Sequence, residues 1–76
     1  MRISIATERY AAGFFEDIAI RQNPSKDPGW FVNLFDNTGM PHILVDEQDK
    51  PVIETDISEL VSLLKTIGLK DVRIIF

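Results

Sequence analysis

The sequence contains no cysteine and a single histidine, His42. Without thiols there is no disulfide framework, no thiolate zinc site, no iron–sulfur cluster and no cysteine nucleophile. Long apolar runs are also missing: none approaches the roughly 20 residues that a helix needs to cross a bilayer. The first residues pass into Glu8 and Arg9 without the apolar core of a signal peptide. The four glycines stand apart at 13, 29, 39 and 68, so no glycine-rich loop precedes a helix to cradle phosphate. Positive charge is scarce too, with 8 Lys and Arg against 12 Asp and Glu and a net charge of −4. That balance disfavours binding through a nucleic-acid backbone. Together these absences predict a cytoplasmic protein with no cofactor, no bound metal and no membrane partner.

What remains is 76 residues, 45% of them apolar and 26% charged, which make one domain over residues 1–76. Ten Ile, five Val and seven aromatics stand against four Ala. β-Branched and aromatic side chains fit a pleated surface and lose rotamers in a helix, so a sheet is expected. A domain of this size buries only about 60% of its unfolded surface. With no covalent reinforcement it must rely on a dense core or on an oligomer.

Breaks fall at residues 23–29, at Asp36-Asn37-Thr38-Gly39 and at residues 47–51, where Pro, Gly and Asx residues gather. The first stretch is ambiguous: residues 2–6 alternate like a strand, whereas Ile3, Ala6, Tyr10 and Ala11 recur at helical spacing. With Ser4 available as an N-cap and Gly13 as a stop, a short helix over about residues 5–12 is favoured. Residues 15–21 alternate as a half-buried strand. Residues 30–35 form another, with Trp30, Val32 and Leu34 on one face and Phe31, Asn33 and Phe35 on the other. A hairpin joins them through the long loop at 23–29. A third strand is expected at residues 41–46 and a shorter extended piece at 52–54.

The clearest signal follows. Asp56 as N-cap, Glu59 three residues on, an apolar stripe of Ile57, Leu60, Val61, Leu64 and Ile67, Lys65 near the end, and Gly68 with Leu69 behind it predict a helix over 57–67. The sequence closes on a strand at 71–76, whose nearly continuous apolar residues favour two neighbours or a partner subunit. The order is α-β-β-β-(β)-α-β: an α+β domain with a mainly antiparallel sheet of four or five strands and the 57–67 helix on one face.

Several segments are similar to a family of short, uncharacterised bacterial proteins of the pseudomonad type. They are Ala11-Ala12-Gly13-Phe14-Phe15 before an acidic-apolar strand, Gly29-Trp30-Phe31 opening the next, Leu44-Val45-Asp46 followed by Lys50-Pro51, and the helix from Ser58 to Gly68 leading into an apolar strand. The likeness runs over about residues 11–75, and those proteins tend to continue into a short polar tail. It implies a bacterial origin and this strand order, and transfers no catalytic residue.

Chemistry is sparse. His42 is the one side chain suited to general-base work near neutral pH. Ser4, Ser25, Ser58 and Ser62 could serve it as nucleophiles, but none sits in a Gly-x-Ser-x-Gly elbow; a half-exposed strand histidine is the favoured reading. Asp46, Glu47 and Asp49 form an acidic patch without the central glycine of an EF-hand loop, and Lys50 and Pro51 intrude, so a solvated turn is expected rather than a cation site. The six acids between residues 46 and 59, set against one lysine, could alternatively meet a basic groove of a partner, as an acidic decoy from a phage or mobile element would. Asp56 and Glu59, however, are already accounted for by the helix N-terminus.

Five of the seven aromatics (Phe14, Phe15, Trp30, Phe31 and Phe35) fall between residues 14 and 35, near Arg9, Arg21 and Lys26. Aromatics beside bases on a sheet can stack single-stranded nucleobases. A protein interface is the favoured use, because Trp30 and Phe31 point in opposite directions and one helix covers one face. The sequence therefore predicts a non-enzymatic module that associates with protein, principally with itself as a homodimer, through Trp30, Phe31, Phe35 and Ile75. Single-stranded nucleic acid and the acidic decoy are the alternatives.

Overall fold

The computed structural model describes residues 1–23 and 28–76. The described residues form α1 (Ile3–Ala11), β1 (Phe15–Gln22), β2 (Trp30–Asp36), β3 (Pro41–Ile43), α2 (Ile57–Ile67) and β4 (Arg73–Ile75). The strands make one mixed sheet of order β3-β2-β1-β4, antiparallel except where β4 runs parallel to β1. This is the expected α+β order with four strands. The fifth, at 52–54, is reduced to isolated bridges between Trp30 and Glu54 and between Val45 and Pro51. Pro51 has no N–H to give a ladder, so the segment touches the sheet at points instead of running along it.

Helix α2 forms where its local code places it. Asp56 accepts the Ser58 N–H at 3.0 Å and Gly68 takes φ 111°, while the Gly68 N–H reaches the Lys65 carbonyl and the Leu69 N–H the Leu64 carbonyl. That is a Schellman closure, with Leu69 buried behind it. Helix α1 begins two residues earlier than expected and Ser4 is not its N-cap; Arg2 holds that position without a side-chain bond. The cap comes from a distant residue instead. Glu47 accepts both the Ser4 N–H (3.0 Å) and the Ser4 hydroxyl (3.2 Å), satisfying a donor of the first turn with a negative charge.

The hairpin of β1 and β2 pairs Ile18 with Leu34 and Ile20 with Val32, and the Asn23 N–H closes its base on the Gly29 carbonyl at 2.8 Å. Most of the loop between them lies outside the described residues, as do Ser25 and Lys26. Glycine is required at 29, where a Cβ would stand 2.6 Å from Cγ2 of Ile53. The core gathers Ile18, Ile20, Val32 and Leu34 from one face of the sheet, Leu60, Leu64 and Ile67 from α2, and Ala6 from α1. Both helices therefore cover the same face. Strand β4 is shorter than expected and has one neighbour, β1, among the described strands. Among the described residues no helix is long and apolar enough to cross a membrane.

Candidate functional site

Pleat alternation and the ladder register fix what each face carries. On the open face three rows run across the sheet: Pro41, Phe35 and Asp17; Ile43, Asn33, Ala19 and Arg73; Phe31, Arg21 and Ile75. Ile53, from the segment bridged to Trp30, joins them: Phe31, Ile43, Pro51 and Ile53 line a shallow recess of about 190 Å³. Ile43 and Ile53 are 45% and 43% exposed, while Phe31, Phe35 and Ile75 are half-buried. No helix of the described residues packs on this face. Its charge is nearly cancelled: Arg73 forms a forked pair with the Asp17 carboxylate, which leaves Arg21 as the one cation of these rows without an ion-pair partner among the described residues.

Phe31, Phe35 and Ile75 thus share the open face. Trp30 does not: its register neighbour is Gln22, in line with Val32 and Leu34 toward the helices, and its ring packs edge-on against Phe76 at 5.5 Å. A single stacking platform of Trp30, Phe31 and Phe35 is accordingly not assembled. Ile43 and Ile53 were not picked out by sequence reasoning. The signal was present in the alternation of Pro41 and Ile43 with His42 and Leu44, but so short a run reads as turn-flanking strand without its register.

The acidic residues are engaged within the fold. Asp46 accepts the Gln48 N–H (2.8 Å) and the Lys50 N–H (3.1 Å), closing a turn in which Asp49 takes φ 64°. Asp49 receives Nε and Nη2 of Arg2 at 2.9 Å each. The Arg2 guanidinium, chiefly through these hydrogen bonds, lowers the carboxyl below its ordinary pKa. Glu47 holds the start of α1 as described. The patch therefore fastens the 46–50 turn to the N-terminal helix. Among the described residues no three His, Asp or Glu side chains converge as metal ligands.

His42 lies in line with Leu34, on the helix side of the sheet, and its Nε2 meets Oδ2 of Asp36 at 2.9 Å. The other oxygen of Asp36 accepts the Thr38 hydroxyl (2.6 Å), the Thr38 N–H (2.9 Å) and the Met40 N–H (3.0 Å). Asp36 is buried. The Thr38 hydroxyl first, then the ring of His42 and the two backbone N–H groups, hold its carboxyl far below the usual carboxylate range. Around it, Phe14 lies 6.0 Å from the His42 ring and under the guanidinium of Arg9 at 4.9 Å. No serine of the described residues is hydrogen-bonded to His42: Ser4 is bound to Glu47 and Ser58 to Asp56. The pair locks the β2–β3 turn, a role the sequence signalled only as the turn residues 36–39.

No family model, curated protein or solved structure matches this chain. The functional reading rests on its own geometry, that of a small α+β domain with one sheet face left open.

Proposed function

We propose that this protein is a non-enzymatic association module of the bacterial cytoplasm, of the kind carried by phages and mobile elements, and that a second copy packs on its open sheet face. The observation that carries the reading is the grouping of Phe31, Phe35, Ile43, Ile53 and Ile75 on a face that no described helix covers. An isologous interface requires a patch complementary to itself. This one suits that requirement: Phe31, Phe35, Ile43, Ile53 and Ile75 give it apolar area, its one acid, Asp17, is neutralised in place by Arg73, and Arg21 is its one remaining charge. The net negative charge is concentrated between residues 46 and 59, where Asp46, Glu47, Asp49 and Asp56 are hydrogen-bonded within the fold. A standard interface takes about 800 Å² from each partner, about one sixth of the 5018 Å² that this chain exposes.

The cytoplasmic placement draws on the absence of cysteine and of a membrane-crossing helix among the described residues. The test is a mixed sample of isotope-labelled and unlabelled protein. Filtered nuclear Overhauser spectra are expected to link the Phe31 and Phe35 rings of one copy to the Ile43, Ile53 and Ile75 methyls of the other. A sample at millimolar concentration that tumbles as a monomer and shows no such link would overturn the reading.

A further inference from the structure

The two edges of the sheet differ. On the β3 side, residues 44–54 and the start of α1 take up backbone groups: the Leu44 N–H meets the Val32 carbonyl, Trp30 and Glu54 exchange two bonds, and the Ile3 N–H meets the Val45 carbonyl. On the β4 side, no described strand lies beyond Arg73–Ile75. That edge has no proline and no bulge; it is short, and its one charged residue, Arg73, is held on the open face by Asp17. Directly beside it, between β4 and α2, runs an apolar groove of about 210 Å³. Val61, Leu64, Leu69 and Ile74 line it, and Lys65 and Lys70 stand at its rim. Ile74 is 42% exposed there. Neither lysine has an ion-pair partner among the described residues.

We infer that this edge and groove together receive an extended acidic peptide segment of a partner protein, which adds to the sheet as a fifth strand beside β4. An unpaired edge offers main-chain bonds to any extended chain, and an adjoining pocket selects one side chain in two because alternate residues face it. Here the groove takes an aliphatic side chain. The lysines select Asp or Glu two residues to either side of it, which lie on that same face of the added strand. Residues between them face away from the groove and are free to be polar. The three-residue β4 is too short to hold a strand by backbone bonds alone, so groove and charge supply the selectivity. This surface lies on the opposite face from Phe31 and Phe35, and the inference does not rest on self-association.

The test is a titration of isotope-labelled full chain with the acetylated, amidated peptide Thr-Glu-Thr-Val-Thr-Glu-Thr, followed by amide shifts and hydrogen exchange. Saturable shifts at Arg73, Ile74, Ile75, Leu64, Lys65 and Leu69, with slowed exchange in β4, are expected. The same peptide with Lys in place of Glu is expected to bind about tenfold more weakly, the scale of two solvent-exposed charge pairs. The double variant Lys65→Glu, Lys70→Glu reverses that preference. Two results overturn the inference: no saturable shift at millimolar peptide, or equal binding of both peptides.

Discussion

The two faces of one sheet are built from the same strands and do different work. On the helix side Ile20, Val32 and Leu34 are at most 1% exposed beneath Leu60 and Leu64. On the other side Ile43 and Ile53, of the same chemistry, are close to half exposed. Strand composition does not distinguish them, since β2 alternates Trp30, Val32 and Leu34 with Phe31, Asn33 and Phe35. What separates the faces is the number of helices available to cover them. Both α1 and α2 pack on one side, and no described helix covers the other.

Substitutions sort along that division. The largest effect is expected at the covered face: Ile20→Ala opens a cavity under α2 and is expected to lower unfolding stability by about 2–5 kcal/mol, measured by urea denaturation. A loss below about 1 kcal/mol would mean that the two faces are equivalent. Next comes the closure that holds the cover in place. Gly68→Ala forces a Cβ into φ 111° and is expected to cost about 1–2 kcal/mol, with accelerated amide exchange concentrated in the last turn of α2.

A subtler effect is expected in acid. The carboxyl of Asp36 is held down in the folded state, so its stabilising contribution is complete above its unfolded pKa and fades as pH falls through the folded value. Stability is therefore expected to decline below about pH 4, the range of an unperturbed aspartate. Asp36→Asn should be less stable than the wild type at pH 7, with the gap closing as the pH is lowered. Thermal melts at several pH values check this. A gap that stays constant down to pH 2 would detach Asp36 from the acid response.

The elements legible in the sequence are those whose instructions are local. Asp56, Gly68 and the stripe between them specify α2 within thirteen residues, and the structure follows the bounds. The alternation of β1 and β2 likewise predicts their pairing and the opposite faces of Trp30 and Phe31. Helix α1 was harder because its cap, Glu47, is 43 residues from Ser4 and no local pattern contains it. The third strand ends early for a similar reason: beyond Ile43 the chain divides its bonds among Val32, Met1 and Lys50. At the site, Phe31, Phe35 and Ile75 could be placed from alternation. Ile43 and Ile53 become members of the same surface only through the register of β3 on β2 and the single bridge at Glu54.

The central claim is that the open face is covered by a second copy. Sedimentation equilibrium of the wild type beside Phe31→Glu tests it most directly, since Phe31 lies at the recess and outside the helix-covered core. The account predicts that the wild type approaches twice its 8.6 kDa chain mass as concentration rises, while Phe31→Glu stays folded and monomeric. A wild type that remains at 8.6 kDa up to about millimolar concentration, far above the range of a specific dimer, would contradict it.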